Sequence, residues 1–305
     1  MKIGIIDLDT SHPSAWIPIE REMGHEIVGL FDGGSIHPRR YVEEFAAGHG
    51  ISRVFESLPQ MAAEVDCAII HGCDWDTHVD KARPFVEAGK SVLIDKPFAG
   101  KLADLWQIRQ WVAQGARITG GSALRFCTEL REWLAQPICE RGTPHTALAG
   151  CAVDDFNYGI HAYALLLEAM GSGIRSVRHL GQGAQRRIQI HWHDGRMGFL
   201  VIGTQEKWLP FHLAVVTEQT VAQFMPAPMA LYRSFLEAVL PYLAKESCQP
   251  PTAPDSLLEP ELAALAARQS WLNGDREVFL GELDPAQAYD GAAFAAAYRE
   301  AKYGK

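Results

Sequence analysis

The sequence has few cysteines and no long apolar run. Its 305 residues include six cysteines, scattered along the chain without a C-x-x-C pair. This spacing excludes a disulfide framework and a zinc ribbon and favours a reducing compartment. No stretch of about 18 uncharged apolar residues occurs, so no membrane-spanning helix is expected. The N-terminus lacks the basic start and apolar core of a signal peptide, and we therefore expect a soluble, cytoplasmic protein.

Positive charge is also scarce. The formal net charge is −9, and the densest basic spots are only the pairs Arg39-Arg40 and Arg186-Arg187. This distribution excludes a surface that tracks phosphates, so nucleic acid is not expected as a partner. With 48% hydrophobic residues the chain can bury two moderate cores. We therefore expect two domains of roughly 120 to 180 residues each.

The first 120 residues alternate short β-branched runs with longer amphipathic segments, which is typical of a parallel sheet built from strand-helix-strand units. Strands are predicted at residues 2–6, 26–31, 53–55, 67–70, 91–94 and 117–119. Helices are predicted at residues 13–23, 38–49, 58–64, 78–88 and 102–114. The pattern predicts an α/β fold with a Rossmann-type, doubly wound parallel sheet, and we assign it to residues 1–120.

The pattern changes after Gly121. Extended runs are predicted at residues 145–152, 187–193, 196–202, 210–216 and 220–224, and Asp194-Gly195 favours a tight hairpin turn. Helices are predicted at residues 128–135, 155–170, 229–245 and 257–273. We expect residues 121–305 to form an α+β domain with a largely antiparallel sheet. The segment 281–305 is partly helical and packs either on the first domain or on a partner.

Three segments carry residues suited to catalysis. Asp95-Lys96-Pro97 directly follows the predicted strand 91–94. Because Pro97 locks its own φ and pushes Lys96 to extended backbone, the ammonium can point into the crevice at the carboxyl edge of the sheet. The stretch "ITGGSALRF" (118–126) ends in Arg125 and Phe126. The stretch "DDFNYGIHAYALLLEAMG" (154–171) places His161 four residues after Asn157, on the same face of a helix.

Together these segments resemble the Gfo/Idh/MocA family (glucose-fructose oxidoreductase, inositol dehydrogenase, rhizopine catabolism) over nearly the whole chain. Asp95-Lys96-Pro97 resembles the family's Glu-Lys-Pro triplet, and Asn157, Gly159 and His161 stand where the family has Asp, Gly and His. The resemblance implies an NAD(P)-dependent dehydrogenase or reductase. It also implies action on a secondary alcohol or ketone of a sugar, polyol or sugar acid, and a homo-oligomer (dimer or tetramer).

The resemblance also implies roles for single residues. His161 would be the general acid/base, Lys96 would polarise the reacting oxygen, and Asn157 would orient a neighbouring hydroxyl. Asn157 lacks the negative charge of the family's aspartate, and Asp154 and Asp155 lie close enough in sequence to replace part of it. We predict substrate contacts at Arg125, Asp154 and Tyr158. The alternatives are a structural histidine at 161 and an ordinary surface lysine at 96.

The first turn departs from the family. Its three glycine positions, where the backbone approaches a pyrophosphate, are occupied by Asp7, Asp9 and His12. Carboxylates repel a pyrophosphate, and side chains crowd it. In favour of binding, Thr10 and Ser11 offer hydroxyls to the helix start and to phosphate, and His12 could donate to a phosphate oxygen.

Other positions bear on the cofactor. Asp32 ends the second strand, where an acid accepts hydrogen bonds from the adenosine ribose, or it only starts a turn. This favours NAD, although Arg39 and Arg40 keep NADP open. Trp75 either stacks on a nicotinamide or adenine or covers the sheet edge. The predicted cofactor contacts are Asp9, Thr10, Ser11, His12, Asp32, Cys73, Trp75, His78, Lys96 and Pro97.

Two alternatives to a redox enzyme follow from the same departures. The lost glycines and Asn157 favour a non-redox lyase or isomerase on a sugar-like substrate that has lost, or permanently traps, the dinucleotide. A binding or regulatory protein without chemistry is the third possibility. We predict no metal site, because the acids and histidines at the strand ends match no compact ligand motif. These residues are Asp7, Asp9, His12, His71, Asp74 and Asp95.

Overall fold

The computed structural model describes residues 1–204 and 207–304, which form two compact units. The first unit contains Met1–Gly121, Leu236–Thr252 and the chain from Asp290 onward, and the second contains Ser122–Phe235 and Ala253–Tyr289. The predicted boundary was a single break after residue 120, so two later segments join the first unit that the sequence had placed in the second. Lys305, the end of the predicted C-terminal segment, lies outside the described residues. The assignment of the units to cofactor and substrate stays a prediction.

A parallel five-stranded sheet forms the centre of the first unit. Its strands are β1 (Lys2–Ile6), β2 (Glu26–Phe31), β3 (Cys67–Ile70), β4 (Ser91–Asp95) and β5 (Ile118–Gly121), in the order β2-β1-β3-β4-β5. The inner strands β1, β3 and β4 are buried at every position except Lys2, because helices cover both faces of the sheet. The strand order reverses between β1 and β3, and the crevice at this reversal is where such sheets bind ligands.

The predicted strand at residues 53–55 is wrong in extent. It is reduced to one parallel bridge between Leu30 and Val54, outside the five named strands. Two backbone hydrogen bonds hold the bridge, from Leu30 N–H to the Arg53 carbonyl and from Phe55 N–H to the Leu30 carbonyl.

Helices pack around this sheet. They are α1 (His12–Glu22), α2 (Arg39–Gly48), α3 (Leu58–Ala62), α4 (His78–Glu87) and α5 (Leu102–Ala113). The segment 236–252 is fixed to the sheet by hydrogen bonds from Ser91 Oγ to the Leu243 carbonyl (2.7 Å) and from Arg117 Nη1 to the Tyr242 carbonyl (2.7 Å). None of the helices in residues 1–204 and 207–304 has the length and apolar character needed to span a membrane.

The second unit contains a seven-stranded sheet. Its strands are β6 (Pro144–Gly150), β7 (Ile174–Gln182), β8 (Arg186–Trp192), β9 (Met197–Ile202), β10 (His212–Thr217), β11 (Val221–Phe224) and β12 (Val278–Phe279), in the order β11-β10-β6-β9-β8-β7-β12. All neighbours are antiparallel except β6 and β9. The predicted fold class is therefore confirmed. The sequence analysis missed β7 and β12.

The remaining helices are α6 (Thr128–Ala135), α7 (Ile138–Arg141), α8 (Gly159–Met170), α9 (Pro228–Leu243), α10 (Pro254–Leu257), α11 (Glu259–Leu272) and α12 (Gly291–Tyr303). Helices α8 and α11 pack against each other and against the second sheet. Helix α8 begins four residues later than predicted. The reason is that Asp154 Oδ1 accepts hydrogen bonds from the backbone N–H groups of Phe156 and Tyr158 and holds that segment in a turn.

Gly120 gives a test of the first sheet. It lies at a φ of +139° opposite Ile94, and a Cβ added there would stand 1.9 Å from the Ile94 carbonyl oxygen. We expect Gly120→Ala to lower the free energy of unfolding by about 3 kcal/mol or more, measured by urea denaturation. The control is Gly48→Ala at the exposed end of α2, where a Cβ meets nothing within 4 Å. Equal unfolding midpoints for the two variants would contradict the prediction.

Candidate functional site

An ion pair fills the first turn after β1. Asp7 has a φ of +62°, a left-handed conformation that glycine usually provides and a short polar side chain tolerates. Its carboxylate accepts hydrogen bonds from Lys81 Nζ at 2.5 Å and from the Gly33 backbone N–H at 3.0 Å. Both side chains are buried. The sequence analysis missed Lys81, which occupies α4 and is 74 residues away along the chain.

Asp9 bridges the loops that follow β1 and β3. Its Oδ2 accepts a hydrogen bond from the Cys73 backbone N–H at 2.9 Å, and its Oδ1 is buried with no hydrogen-bond partner in the described part of the chain. Burial, followed by the nearby charge of Asp7, raises the pKa of Asp9 to about 7. A carboxyl group therefore stands across the reversal point of the sheet.

His12, His71 and Asp95 meet at the ends of β1, β3 and β4. Asp95 Oδ2 lies 2.5 Å from His12 Nδ1 and 3.3 Å from His71 Nδ1. Burial alone would raise the pKa of Asp95, but the two imidazoles outweigh it and hold that pKa well below its ordinary value. Burial lowers the pKa of His71. We refer to these three side chains as the His-Asp-His cluster.

The start of α1 is held by a threonine. Thr10 Oγ1 accepts a hydrogen bond from the His12 backbone N–H at 3.2 Å, whereas Ser11, directly before the helix, makes no capping hydrogen bond with its side chain. Pro13 lies in the first turn, where a missing backbone N–H costs no helical hydrogen bond. The roles of Thr10 and Ser11 toward a phosphate stay predictions.

Lys96 follows the cluster directly. It is 8% exposed, and the Lys96–Pro97 peptide bond is cis. The Lys96 backbone N–H donates to Asp95 Oδ1 at 2.7 Å, so the carboxylate that receives the two imidazoles also fixes the backbone of the lysine. The predicted position at the carboxyl end of β4 is observed, and its catalytic role stays a prediction.

Asp32 connects the loops that follow β1 and β2 at the carboxyl edge of the sheet. Its Oδ2 accepts from the Leu8 backbone N–H at 3.0 Å and its Oδ1 from the Gly34 backbone N–H at 2.7 Å. Burial raises the pKa of Asp32. The aspartate therefore organises the turn that follows β2. Its predicted contact with a ribose stays a prediction.

Helix α12 lies on the loops that follow β2 and β3. Ala295 is buried in a small apolar cluster with Ile36 and Cys73. Arg299 Nη1 donates to the Gly34 and Ser35 carbonyls at 3.1 and 3.2 Å. Because a dinucleotide-binding sheet holds adenosine between these two loops, α12 occupies that part of the crevice. The C-terminal segment thus packs on the first unit, one of the two arrangements that the sequence left open.

Further contacts fix both ends of α12. Tyr303 Oη lies 2.5 Å from His37 Nδ1 at the C-terminal end of the helix. At its start, the Gly291 backbone N–H donates to Asp76 Oδ2 at 3.0 Å. Asp290 accepts a hydrogen bond from the Ala293 backbone N–H at 2.8 Å and caps the helix. The helix is therefore anchored along its length.

Three predicted cofactor contacts lie beneath these loops. Trp75 is 3% exposed, and its ring packs on Phe294 of α12 with centroids 5.0 Å apart, which matches covering of the sheet edge rather than stacking on a ligand. His78 is fully buried between the Gly72 carbonyl (2.8 Å) and the Phe98 carbonyl (3.2 Å). Cys73 is buried, and burial raises the pKa of its thiol.

These contacts test whether the residues fit a dinucleotide. Asp7 and Asp9 fill the turn that a pyrophosphate requires, and α12 covers the position of the adenosine. The residues of this arrangement do not fit a dinucleotide in the usual pose. The parallel sheet, the N-terminus of α1 and Asp32 are the parts of the framework that do fit one.

In the second unit, His161 faces a serine. Its Nδ1 lies 2.7 Å from Ser122 Oγ, which also accepts the Leu124 backbone N–H at 3.2 Å. The rings of Phe211 and Tyr158 approach the imidazole, with centroids at 5.1 and 6.1 Å. Ser122 was missed by the sequence analysis, although it directly follows the glycines that end β5.

The other predicted residues of this unit have structural contacts. Asp154 holds the turn before α8, and Asn157 in that turn is 9% exposed. Arg125 is buried, and its guanidinium donates to the Ser256 carbonyl at 2.6 Å and to Ser256 Oγ at 3.1 Å. Its Nη1 also lies 4.0 Å from Glu168. The predicted substrate contacts of Arg125, Asp154 and Tyr158 stay predictions.

Solved structures of similar fold include an NAD complex and proteins named as dehydrogenases. GenD2 from gentamicin A biosynthesis, in complex with NAD, shares 15% identity over 92% of this chain and 96% of its own, with a TM-score of 0.76. A putative myo-inositol dehydrogenase from Sinorhizobium meliloti 1021 shares 13% over 92% and 99%, with a TM-score of 0.77. UDP-N-acetylglucosamine 3-dehydrogenase GnnA from Acidithiobacillus ferrooxidans shares 17% over 88% and 97%, with a TM-score of 0.73. No curated protein matches the sequence.

At these identities the likeness establishes the fold. The family assignment depends on residues 2–119, which match the GFO_IDH_MocA model, described as an oxidoreductase family with an NAD-binding Rossmann fold. The resemblance inferred from the three sequence segments is thereby confirmed. Residues 2–119 thus match the Gfo/Idh/MocA family of NAD-binding oxidoreductases, at the low identity expected of a divergent member.

Proposed function

We propose that the chain is an NAD(P)-dependent oxidoreductase that acts on a secondary alcohol or ketone of a sugar, polyol or sugar acid. The observation that carries the proposal is Lys96, which follows β4 in a sheet whose sequence matches an oxidoreductase family. The names of the inositol and UDP-N-acetylglucosamine dehydrogenases support the substrate class. Asp32 at the end of β2 favours NAD over NADP.

Two side chains have proposed chemical roles. The Lys96 ammonium polarises the oxygen of the substrate, and His161 exchanges the proton of that oxygen. The hydroxyl of Ser122 supports the role of His161, because a hydroxyl can donate or accept and can follow a change of charge on the ring. Asn157 orients a neighbouring hydroxyl of the substrate.

Helix α12 places a condition on this function. Since it occupies the adenosine part of the crevice, we propose that a dinucleotide enters only in molecules whose α12 has left the loops after β2 and β3. Apparent affinity then falls in proportion to the fraction of such molecules. From the sequence, we also propose that the protein is a homo-oligomer and that it is cytoplasmic.

The first prediction concerns binding. Ala295→Gln places a polar side chain in the buried cluster with Ile36 and Cys73 and should release α12, whereas Ala296→Gln changes the exposed face of the same helix. We expect Ala295→Gln to bind NAD or NADH about 10-fold more tightly than the unchanged chain, because more molecules have an open crevice. Ala296→Gln should leave the affinity unchanged.

Calorimetric titration with NAD, NADH, NADP and NADPH measures this effect, after denaturation and mass spectrometry have shown whether a dinucleotide copurifies. Binding to neither the unchanged chain nor Ala295→Gln, with no copurified dinucleotide, would contradict the redox function. That result would favour the non-redox lyase or isomerase instead.

The second prediction concerns turnover. In a screen of polyols and ketoses followed by nicotinamide absorbance, Lys96→Met and His161→Asn should each lower kcat by about 100-fold to 10,000-fold. The controls are Lys2→Met and His145→Asn, two exposed positions of the same residue types. Full activity in either catalytic variant, with dinucleotide binding intact, would refute the role assigned to that residue.

A further inference from the structure

The His-Asp-His cluster combines side chains from three neighbouring strand ends. His12 opens α1 after β1, His71 follows β3, and Asp95 ends β4. One ligand atom of each residue lies within 4.8 Å of the other two.

The carboxylate is held in place by the backbone. Asp95 is 2% exposed, and its Oδ1 accepts the Lys96 backbone N–H at 2.7 Å, which leaves Oδ2 facing both imidazoles. A carboxylate oxygen oriented by a backbone hydrogen bond is the usual arrangement of a metal ligand.

Trp16 positions both imidazoles. Its ring stacks on His12 with centroids 5.2 Å apart and an interplanar angle of 12°. It meets the ring of His71 edge-on at 4.9 Å. Trp16 itself is 1% exposed in the core of the unit. Both histidines are therefore packed against one rigid aromatic side chain, and their nitrogens are brought to Asp95.

One of the two separations from Asp95 Oδ2 equals that of ligands on a tetrahedral ion, and the other is shorter. Two ligands about 2.0–2.1 Å from a tetrahedral ion lie about 3.3 Å apart. His71 Nδ1 and Asp95 Oδ2 are separated by 3.3 Å. His12 Nδ1 is closer, at 2.5 Å, and would retreat by less than about 1 Å to take its place in the same ligand sphere.

The charge of the surroundings also suits a cation. The other carboxylate whose field acts on His71 is that of Asp7, and Lys81 compensates its charge. The cluster offers one nitrogen atom from each imidazole and one carboxylate oxygen as ligands. The side chain of His12 is 12% exposed, so an ion has a route to the cluster.

Two of the three residues are departures from the family pattern. His12 stands at the third glycine position of the first turn, and Asp95 stands where the family's triplet has glutamate. They are 83 residues apart in the chain, yet they contact each other directly. The histidine that replaces the glycine and the aspartate that replaces the glutamate are therefore the two partners of one contact.

We propose that His12, His71 and Asp95 bind a divalent first-row transition ion such as Zn²⁺. Two imidazoles and a carboxylate are a ligand set for such ions, and three protein ligands leave at least one position for an oxygen of water or of another ligand. The site lies beyond the proposed redox function and does not depend on it.

Zinc binding to the full chain tests the site. The protein is stripped with a chelator and titrated with Zn²⁺ by calorimetry, and the bound metal is counted by mass spectrometry. We expect one Zn²⁺ per chain. We expect His12→Asn, His71→Asn and Asp95→Asn each to weaken binding by about 100-fold or more, because each removes one of only three ligands.

The matched control is His179→Asn. His179 Nδ1 lies 2.6 Å from Asp275 Oδ1, and His179 is 4% exposed, so this variant removes a similar histidine-aspartate contact without a second histidine. Its zinc affinity should equal that of the unchanged chain. Circular dichroism verifies the fold of each variant, and His12→Asn, at the start of α1, serves as the test if the more buried His71→Asn does not fold.

The unchanged chain provides a second readout. Co²⁺ bound at this cluster should show visible ligand-field bands of a nitrogen and oxygen site without thiolate charge-transfer absorption, which separates it from binding at Cys73. The proposal is overturned if Zn²⁺, Co²⁺ and Mn²⁺ all fail to bind. It is also overturned if the cobalt spectrum shows thiolate ligation, or if one-to-one zinc binding survives in the folded variants.

Discussion

Buried negative charge at the carboxyl ends of β1 and β4 is the constraint on which the rest of the first unit depends. An ionised carboxylate taken out of water is costly unless a partner compensates it. Lys81 of α4 compensates Asp7, and His12 with His71 compensates Asp95. Asp9 has only the backbone N–H of Cys73, and burial raises its pKa to about 7, which favours the neutral form. These contacts join the loops at the edge of the sheet into one polar network.

This network changes what the crevice can hold. In a glycine-rich turn the backbone approaches a phosphate and the space beside it stays open. Here the side chains of Asp7 and Asp9 take that space, and α12 adds a cover over the neighbouring loops through Ala295 and Arg299. The parallel sheet of a dinucleotide-binding fold is thus combined with polar side chains that fill its crevice.

In the second unit, closeness in sequence does not decide which side chains contact one another. Asp154 lies close to His161 in sequence, but its carboxylate holds the backbone of the turn before α8. Ser122, which follows β5 and is 39 residues away from His161 in the chain, approaches the imidazole Nδ1. Arg125 donates a hydrogen bond to the Ser256 carbonyl, and its Nη1 lies 4.0 Å from Glu168. Its guanidinium is therefore held by contacts inside the second unit.

The sequence by itself determined the elements with a clear local period. The strands Lys2–Ile6, Glu26–Phe31 and Cys67–Ile70 have the predicted bounds, because a run of buried β-branched residues is a local signal. β7 was missed because its buried positions include the polar Ser176 and His179, whereas the apolar Leu180 is exposed, so "IRSVRHLGQ" shows no apolar period of two. The family resemblance likewise came from short local segments, with Lys96 among them.

Only the tertiary structure decided how the charged side chains are paired and where the last helix lies. His12 and Asp95 are 83 residues apart, and Asp7 and Lys81 are 74 apart. No local pattern encodes such contacts, because they depend on which strand ends the sheet order brings together. The alanine-rich sequence of α12 indicates a helix, but its position on Ile36 and Cys73 follows from the shape and apolar surface of the folded loops.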